Sequence, residues 1–298
     1  MEEVASSPFA SPTVSVIVPH YNDFDHLAAC IESLRRQSYP RGCYEIIVAD
    51  NNSKGGVEAV AGRVPDVKVV AAPEQGAGPA RNAGVLSARG MLLAFIDSDC
   101  IAHKDWLSEG LAALDRFDYA GGQVITTTTE NKCPTPAEAF EAVFAFNFKK
   151  YIENDHFTGA GNLFVPKAVF ERVGGFRARV SEDVEWCQRA NALGLRLGYA
   201  DRAIVYHPAR RNWSELIRRW ERTMTEDIYL AMEQPGWRLR WLAYAAIVTA
   251  SPLGHWTLVL RSKRLAGWRA KTRGLSALLR IRIYRGYRMI GLLLQPPQ

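Results

Sequence analysis

Cysteine is scarce in this 298-residue chain: there are five, at Cys30, Cys43, Cys100, Cys133 and Cys187, and no two form a Cys-x-x-Cys pair. An odd, unpaired set excludes a disulfide framework and a structural zinc site, and it fits a reducing cytoplasm. The glycine-rich stretch at 75–79 is followed by no Gly-Lys-Ser/Thr, so it is not a P-loop. Its spacing also fails the dinucleotide-binding fingerprint. Internal repeats and low-complexity blocks are absent, which excludes solenoids and fibrous arrays. The first twelve residues carry Glu2 and Glu3 and lack the basic and apolar regions of a secretory signal. They read as a flexible lead-in to a body that stays in the cytoplasm.

What is present is an ordinary globular composition, 48% hydrophobic and 23% charged. The net charge of +6 hides a split: residues 201–298 hold 18 Lys+Arg against 6 Asp+Glu, leaving 19 against 25 in residues 1–200. An acidic body with a basic tail suggests chemistry in the first and attachment to something anionic through the second.

Residues 14–18 form an apolar, β-branched run closed by Pro19, as a buried parallel strand requires. Leu27, Ile31 and Leu34 then repeat at helical spacing. Further strands are expected at 45–49, 67–71 and 91–96, with a helix from Pro79 to about Ala88. This alternation predicts an α/β fold with a doubly wound, mostly parallel sheet, whose ligands bind at the carboxyl ends of the strands. Beyond it, strands are expected at 121–129 and 204–207, and a Gly-containing strand or loop at 158–165. Helices are expected at 136–151, 182–193, 214–230 and 275–294.

The chemistry-bearing residues collect at strand ends. Asp97-Ser98-Asp99 follows the run 92–96, and alternate residues on an extended segment aim two carboxylates the same way. They would take one divalent cation, or a cation and a ribose; a solvated acidic turn is the plainer alternative. Asp50, after the second strand, is either a hydrogen-bond acceptor for a base or sugar or the cap of an Asx-turn. Arg81 lies in the first turn of a helix that follows glycines, facing a nucleotide or making a surface ion pair. Ser181-Glu182-Asp183 opens an amphipathic helix. It reads as an N-cap with acidic residues in the first turn, or as a general base for an acceptor hydroxyl. His207, at a strand end, is either structural or a third metal ligand.

These segments, in this order, resemble a family 2 glycosyltransferase with the GT-A fold. They are residues 14–22 (Val-Ser-Val-Ile-Val-Pro-His-Tyr-Asn), 45–53 (Glu-Ile-Ile-Val-Ala-Asp-Asn-Asn-Ser), 78–84 (Gly-Pro-Ala-Arg-Asn-Ala-Gly), 97–99, 159–162 (Gly-Ala-Gly-Asn) and 181–183. The likeness covers about residues 13–210. Arg219-Trp220 is similar to the Arg-Trp of processive members, although the Gln of that longer signature is replaced by Leu216. The resemblance implies that Pro19, Tyr21, Asn22 and Asp50 hold the nucleoside, expected to be uridine, with Arg81 near base or phosphate. It implies Asp97 and Ser98 at the nucleotide sugar, and Asp99, with Asp97 and His207, on Mg²⁺ or Mn²⁺. Asp183 would be the base, with Glu182 beside it. Gly159, Gly161, Asn162, Arg219 and Trp220 would lie on the acceptor side. The expected reaction is a single inverting transfer from a UDP-sugar to a glycan or lipid-linked acceptor in cell-surface polysaccharide synthesis. A sugar nucleotidyltransferase would instead carry a Gly-rich, Lys/Arg-containing loop after the first strand, where Pro19-His20-Tyr21-Asn22 stands. An inactive glycan- or lipid-binding scaffold is disfavoured by the intact Asp97, Asp99 and Asp183.

The domain reading is a lead-in (1–12), a catalytic domain (13–210) and a helical, basic-amphipathic extension (211–298). Residues 241–260 hold no Asp, Glu, Lys or Arg, about the length that spans a bilayer. Ser251-Pro252 and Gly254-His255 interrupt the run, and both flanks are basic. A peripheral or re-entrant association with the cytoplasmic face of the membrane is therefore expected, through anionic lipid or a lipid-linked pyrophosphate. A true span and a buried helical pair are the alternatives. Nucleic acid is discounted, since no nucleic-acid motif accompanies the basic residues.

Overall fold

A computed structural model describes residues 12–128 and 133–297. The expected lead-in, up to residue 11, and the end of the strand expected at 121–129 lie outside the described residues.

The first half alternates as its apolar runs require: β1 (Val14–His20), α1 (Phe24–Arg35), β2 (Tyr44–Asp50), α2 (Gly56–Arg63), β3 (Lys68–Ala71), α3 (Ala77–Leu86) and β4 (Leu92–Ile96). Every residue of β1 is buried, which is why it needs no apolar–polar alternation. Then come β5 (Ile101–Ala102), α4 (Trp106–Ala113), β6 (Tyr119–Thr127), α5 (Pro136–Phe144), α6 (Phe148–Glu153), β7 (Asn162–Pro166), α7 (Lys167–Val173), α8 (Glu182–Ala192) and β8 (Leu197–Pro208). Four helices finish the chain: α9 (Trp213–Met232), α10 (Trp237–Ala250), α11 (Pro252–Arg261) and α12 (Gly267–Leu294).

The eight strands form one sheet in the order β3-β2-β1-β4-β7-β6-β8-β5. β1 pairs in parallel with β2 and β4, and β2 with β3. β7 pairs antiparallel with both β4 and β6. This is the expected mostly parallel α/β sheet, with a helical C-terminal extension.

Two details depart from the sequence reading. The single helix expected at 136–151 is broken, because Phe146 takes a left-handed φ of 52° that no α-helix continues. The strand expected at 204–207 is the end of the twelve-residue β8, whose small and apolar residues Gly198, Ala200, Ala203 and Val205 are buried at alternate or nearby positions.

The chain resolves into two compact bodies. The first comprises residues up to Val124, Phe148–Ala178 and Glu182–Tyr206; the second comprises Ile125–Asn147, Arg179–Ser181 and His207–Gln298. The first is centred on Ile17, Ile47, Leu93, Phe95, Leu163 and Trp186. Phe170 stacks on Trp186 at 5.7 Å between centroids, and Phe95 meets Phe176 edge to face at 5.6 Å.

In the second body α5 is held at its start by a capping box between Thr135 and Glu138, with Pro136 in the first turn. Its Phe140 shares a core with Leu216 of α9, Val259 of α11, and Ala277 and Ile281 of α12. Met224 and Ile228 of α9 pack with Trp241, Ala245 and Val248 of α10 and with Met289 of α12. This packing is why residues 125–147 join the C-terminal helices. Among the described residues no single helix is long and apolar enough to cross a membrane. Together α10 and α11 reach that length and apolarity, but they are bent by 44°.

Candidate active site

β1, β2 and β4 run parallel, so their carboxyl ends share one edge of the sheet in the first body. The residues there are Tyr21-Asn22, Asp50-Asn51-Asn52 and Asp97-Ser98-Asp99.

The loops after β1 and β2 are tied together. Asn22, at φ 57°, donates its backbone N–H to Ser53 Oγ (2.8 Å) and accepts at Oδ1 from the Lys54 N–H (2.8 Å). Asp50 is buried and its carboxylate accepts from the N–H of Ser53, three residues on, at 3.3 Å, as a cap does. Asn51 fixes the start of α3: its amide donates to Ala72 O and Glu74 O, and its Oδ1 accepts from the Gly76 N–H. Pro19 sits in β1 opposite Ala49, and Tyr21 projects with 55% of its surface exposed, as a ring that stacks on a ligand must.

His20 was not singled out by sequence. It is 2% exposed, its ring meets Phe24 at 5.3 Å, and neither ring nitrogen has a hydrogen-bond partner. Burial pulls its pKa below 6.5, against the opposing pull of Asp50 and Asp23.

Arg81 is almost fully buried. Nη2 donates to Asp97 Oδ1 at 2.5 Å and Nη1 donates to Glu182 Oε1 at 2.7 Å. Burial works against its charge, but the two carboxylates outweigh burial and hold it protonated. Asn82, the next residue of α3, exchanges hydrogen bonds of 2.8 and 2.9 Å with the backbone of Phe176. Helix α3 therefore fixes the segment that leads toward α8 as well as the turn after β4.

Asp97 and Asp183 both close on the turn that precedes β7. A Cβ placed on Gly161 would fall 2.3 Å from Asp97 Oδ2, so only glycine permits this approach. A Cβ on Gly159 would lie 3.6 Å from Asp183 Oδ2 and strike the Phe148 ring at 2.6 Å. Asp183 stands in the first turn of α8, where its charge faces the positive helix end. Asn162, expected on the acceptor side, is a buried staple: Oδ1 accepts from Trp106 Nε1, and Nδ2 donates to Gln123 O and Ala203 O.

Among the described residues no group of three or more His, Cys, Asp or Glu side chains forms a metal cage. Asp97 and Asp99 lie on one partly exposed turn, separated by Ser98. Two carboxylates are a set that Mg²⁺ or Mn²⁺ takes when diphosphate oxygens complete its shell, so this donor set fits a cation bound with its substrate. The thiols beneath, Cys30 and Cys100, are driven upward in pKa by burial and by the same aspartates. They are inert at neutral pH.

The other expected residues belong to the second body. The His207 ring lies 4.7 Å from Phe146, and its Nδ1 is 2.7 Å from Pro208 O. Arg219 packs over both Phe146 (5.1 Å) and Trp220 (5.2 Å), and Arg285 covers Trp220 at 3.7 Å. Glu141, fully buried, holds Arg210 and Arg219 at 2.9 and 3.1 Å. The Ser181 hydroxyl donates to Asp227, whose pKa burial raises against Ser181 and Arg285.

The family model described as Glycosyl transferase family 2 matches residues 15–182. Glycosyltransferase AglE of Haloferax volcanii is 33% identical over 208 residues, 67% of this chain and 68% of that protein. Two solved structures share the fold. Mannosyltransferase PcManGT from Pyrobaculum calidifontis, solved with GDP-Man and Mn²⁺, aligns with a TM-score of 0.50 and 16% identity, over 99% of this chain and 79% of its own. Staphylococcus aureus TarS 1–349 with UDP-GlcNAc aligns with a TM-score of 0.52 and 17% identity, over 93% and 91%.

Proposed function

The chain belongs to the family 2 glycosyltransferases, and from that premise we propose that it moves a sugar from a UDP-sugar to a hydroxyl of a glycan or lipid-linked acceptor in cell-surface polysaccharide synthesis. Inversion at the anomeric carbon is part of the proposal. The observation that carries this reading is the approach of Asp97 and Asp183 to the same glycine turn at the carboxyl edge of the parallel strands. One carboxylate belongs to the donor side, at a strand end, and the other to the start of a helix. A direct displacement needs that division, because the departing diphosphate and the base must lie on opposite faces of the sugar.

The Tyr21 ring lies against the base, and Asp50 with the Asn22–Ser53 ties shapes the nucleoside loop. Arg81 holds Asp97 and Glu182 in place and balances their charge. Asp97 and Asp99 would hold Mg²⁺ or Mn²⁺, which when bound neutralises charge on the diphosphate leaving group. Asp183 takes the proton from the acceptor hydroxyl as it attacks. The TarS structure, solved with UDP-GlcNAc, supports the choice of a UDP-sugar.

The test is a panel of nucleotide sugars incubated with the purified chain and Mg²⁺ or Mn²⁺, with release of the nucleoside diphosphate as the readout. Slow hydrolysis of one UDP-sugar is expected. Hydrolysis of none, or release of inorganic pyrophosphate from a nucleoside triphosphate with a sugar phosphate, would replace this reading by the nucleotidyltransferase.

A further inference from the structure

We propose that the outer side of α10 and α11 is a membrane-binding surface that seats in the headgroup boundary of an anionic bilayer and lies along it without crossing. The helices themselves carry the argument. On α10 a single stripe, Trp241, Ala245 and Val248, is buried in the second body. Apart from Arg238 and Arg240, the outward-facing remainder of that helix carries no charge, and its large apolar residues are exposed: Leu239 is 76% exposed and Ile247 66%. On α11 only Val259 is buried, while Leu253 is 84% exposed, and Trp256 and Leu258 are about half exposed. A water-facing helix surface ordinarily carries charge, and residues 241–260 carry none.

The surrounding charge has one sign. No Asp or Glu occurs from Gln234 to the end of the chain, which holds twelve Lys+Arg. Arg238 and Arg240 stand at the start of α10, and Arg261, Lys263 and Arg264 stand where α11 ends. All five are exposed. An uncharged centre with cations at both ends suits a bilayer, whose anionic headgroups meet both ends on one leaflet. A second copy of the chain would set these cations against their own kind. Nucleic acid would meet the aliphatic centre with nothing to bond.

The same packing argues against a span. Helix α10 gives a stripe to the protein core and α11 gives Val259, so neither can be ringed by lipid. At 1.5 Å per residue α10 reaches only about 21 Å, short of the roughly 30 Å hydrocarbon layer. The 44° bend then turns α11 off its axis. Trp256 and Tyr244, both partly exposed, are the residue types that settle at the headgroup level.

Flotation of the full chain on vesicles tests this directly, and it reads partition rather than turnover, so its outcome is independent of the glycosyl-transfer reading. The wild type is expected to float with vesicles of phosphatidylcholine mixed with phosphatidylglycerol, less with phosphatidylcholine alone, and less again in high salt. The double variant Leu253→Ser with Trp256→Ser changes two exposed residues, so its circular dichroism should match the wild type. Its partition is expected to fall roughly tenfold or more. Quenching of tryptophan emission by brominated lipid gives a second readout, expected to drop in Trp256→Phe. The proposal is overturned by a wild type that does not float, or by a double variant that floats equally well. It is also overturned by a wild-type dimer that the double variant converts to monomer, or by RNA binding in place of lipid binding.

Discussion

Arg81 Nη2 lies 2.5 Å from Asp97 Oδ1, in a side chain only 4% exposed, while its other terminal nitrogen reaches Glu182. One planar guanidinium thus ties the turn after β4 to the start of α8, a fork that only arginine supplies. Arg81→Lys keeps the charge but offers a single point that cannot serve both carboxylates. We expect it to cost roughly 1–3 kcal/mol in urea unfolding, since Asp97 remains partly solvated. Turnover should fall at least about tenfold, because a misplaced carboxylate near the reacting centre is expensive. Wild-type turnover in the lysine variant would show that the brace has no catalytic consequence.

Asp183→Asn preserves shape and removes the proposed base. Loss of one positioned base costs about 10²–10⁴ in rate. UDP affinity measured by calorimetry should stay at the wild-type value, since the proposed donor residues lie at the carboxyl ends of β1, β2 and β4 and on α3. Retained transfer would place the base elsewhere.

Gly161→Ala tests the approach of the glycine turn to Asp97. The added methyl would sit 2.3 Å from Asp97 Oδ2, so the carboxylate must swing away. Overpacking of this kind costs about 1–3 kcal/mol. The fold should survive, while UDP binding in the presence of Mn²⁺ weakens relative to binding in EDTA. Equal weakening in both would mean that Asp97 has no part in holding the cation.

The parallel half of the sheet was legible because β1, β2 and β4 are nearly uninterrupted apolar runs that lead into polar residues. Helix α2 was not, since Val60 alone is buried and a single contact makes no stripe. The break at Phe146 carries no Gly or Pro to announce it. At the site, Asp97, Asp99 and Asp183 stand out by type and position. The Arg81 brace does not, because its partners lie 16 and 101 positions away. Asn162 has the motif position of an acceptor residue, and only its three hydrogen bonds show what occupies it.

His20 should give the fold an acid-sensitive component. Its pKa is below 6.5 in the folded chain, so the unfolded chain takes up the proton first as pH falls. The stability it allows is complete above pH 6.5 and is lost on the acid side, at up to about 1.4 kcal/mol per pH unit for one proton. His20→Phe keeps a ring against Phe24 and removes the proton site. Urea titrations at neutral pH and at mildly acid pH should show a smaller acid loss in the variant. Identical losses would mean that the ring is not buried neutral.

Glu141 has no exposed surface and carries two arginines, an arrangement whose worth depends on both signs being present. Burial alone would raise its pKa, but Arg210 and Arg219 outweigh burial and hold it below the usual carboxylate value. The stability it contributes is therefore full above that ordinary value and is lost as pH falls through the lower, folded one. Glu141→Gln still accepts the Arg210 backbone N–H but leaves two guanidinium groups beside a neutral amide. Removing one partner from a buried pair costs about 3–5 kcal/mol; the arginines are 20% exposed, which places this variant near the lower figure. Arg219 would lose the bond that holds it over Phe146 and Trp220, so tryptophan emission should shift as well. Double replacement of Glu141 and Arg219 by Gln and Met should recover part of the loss, because one guanidinium instead of two then faces the neutral amide. A double variant no more stable than Glu141→Gln would assign the loss to Arg210 alone.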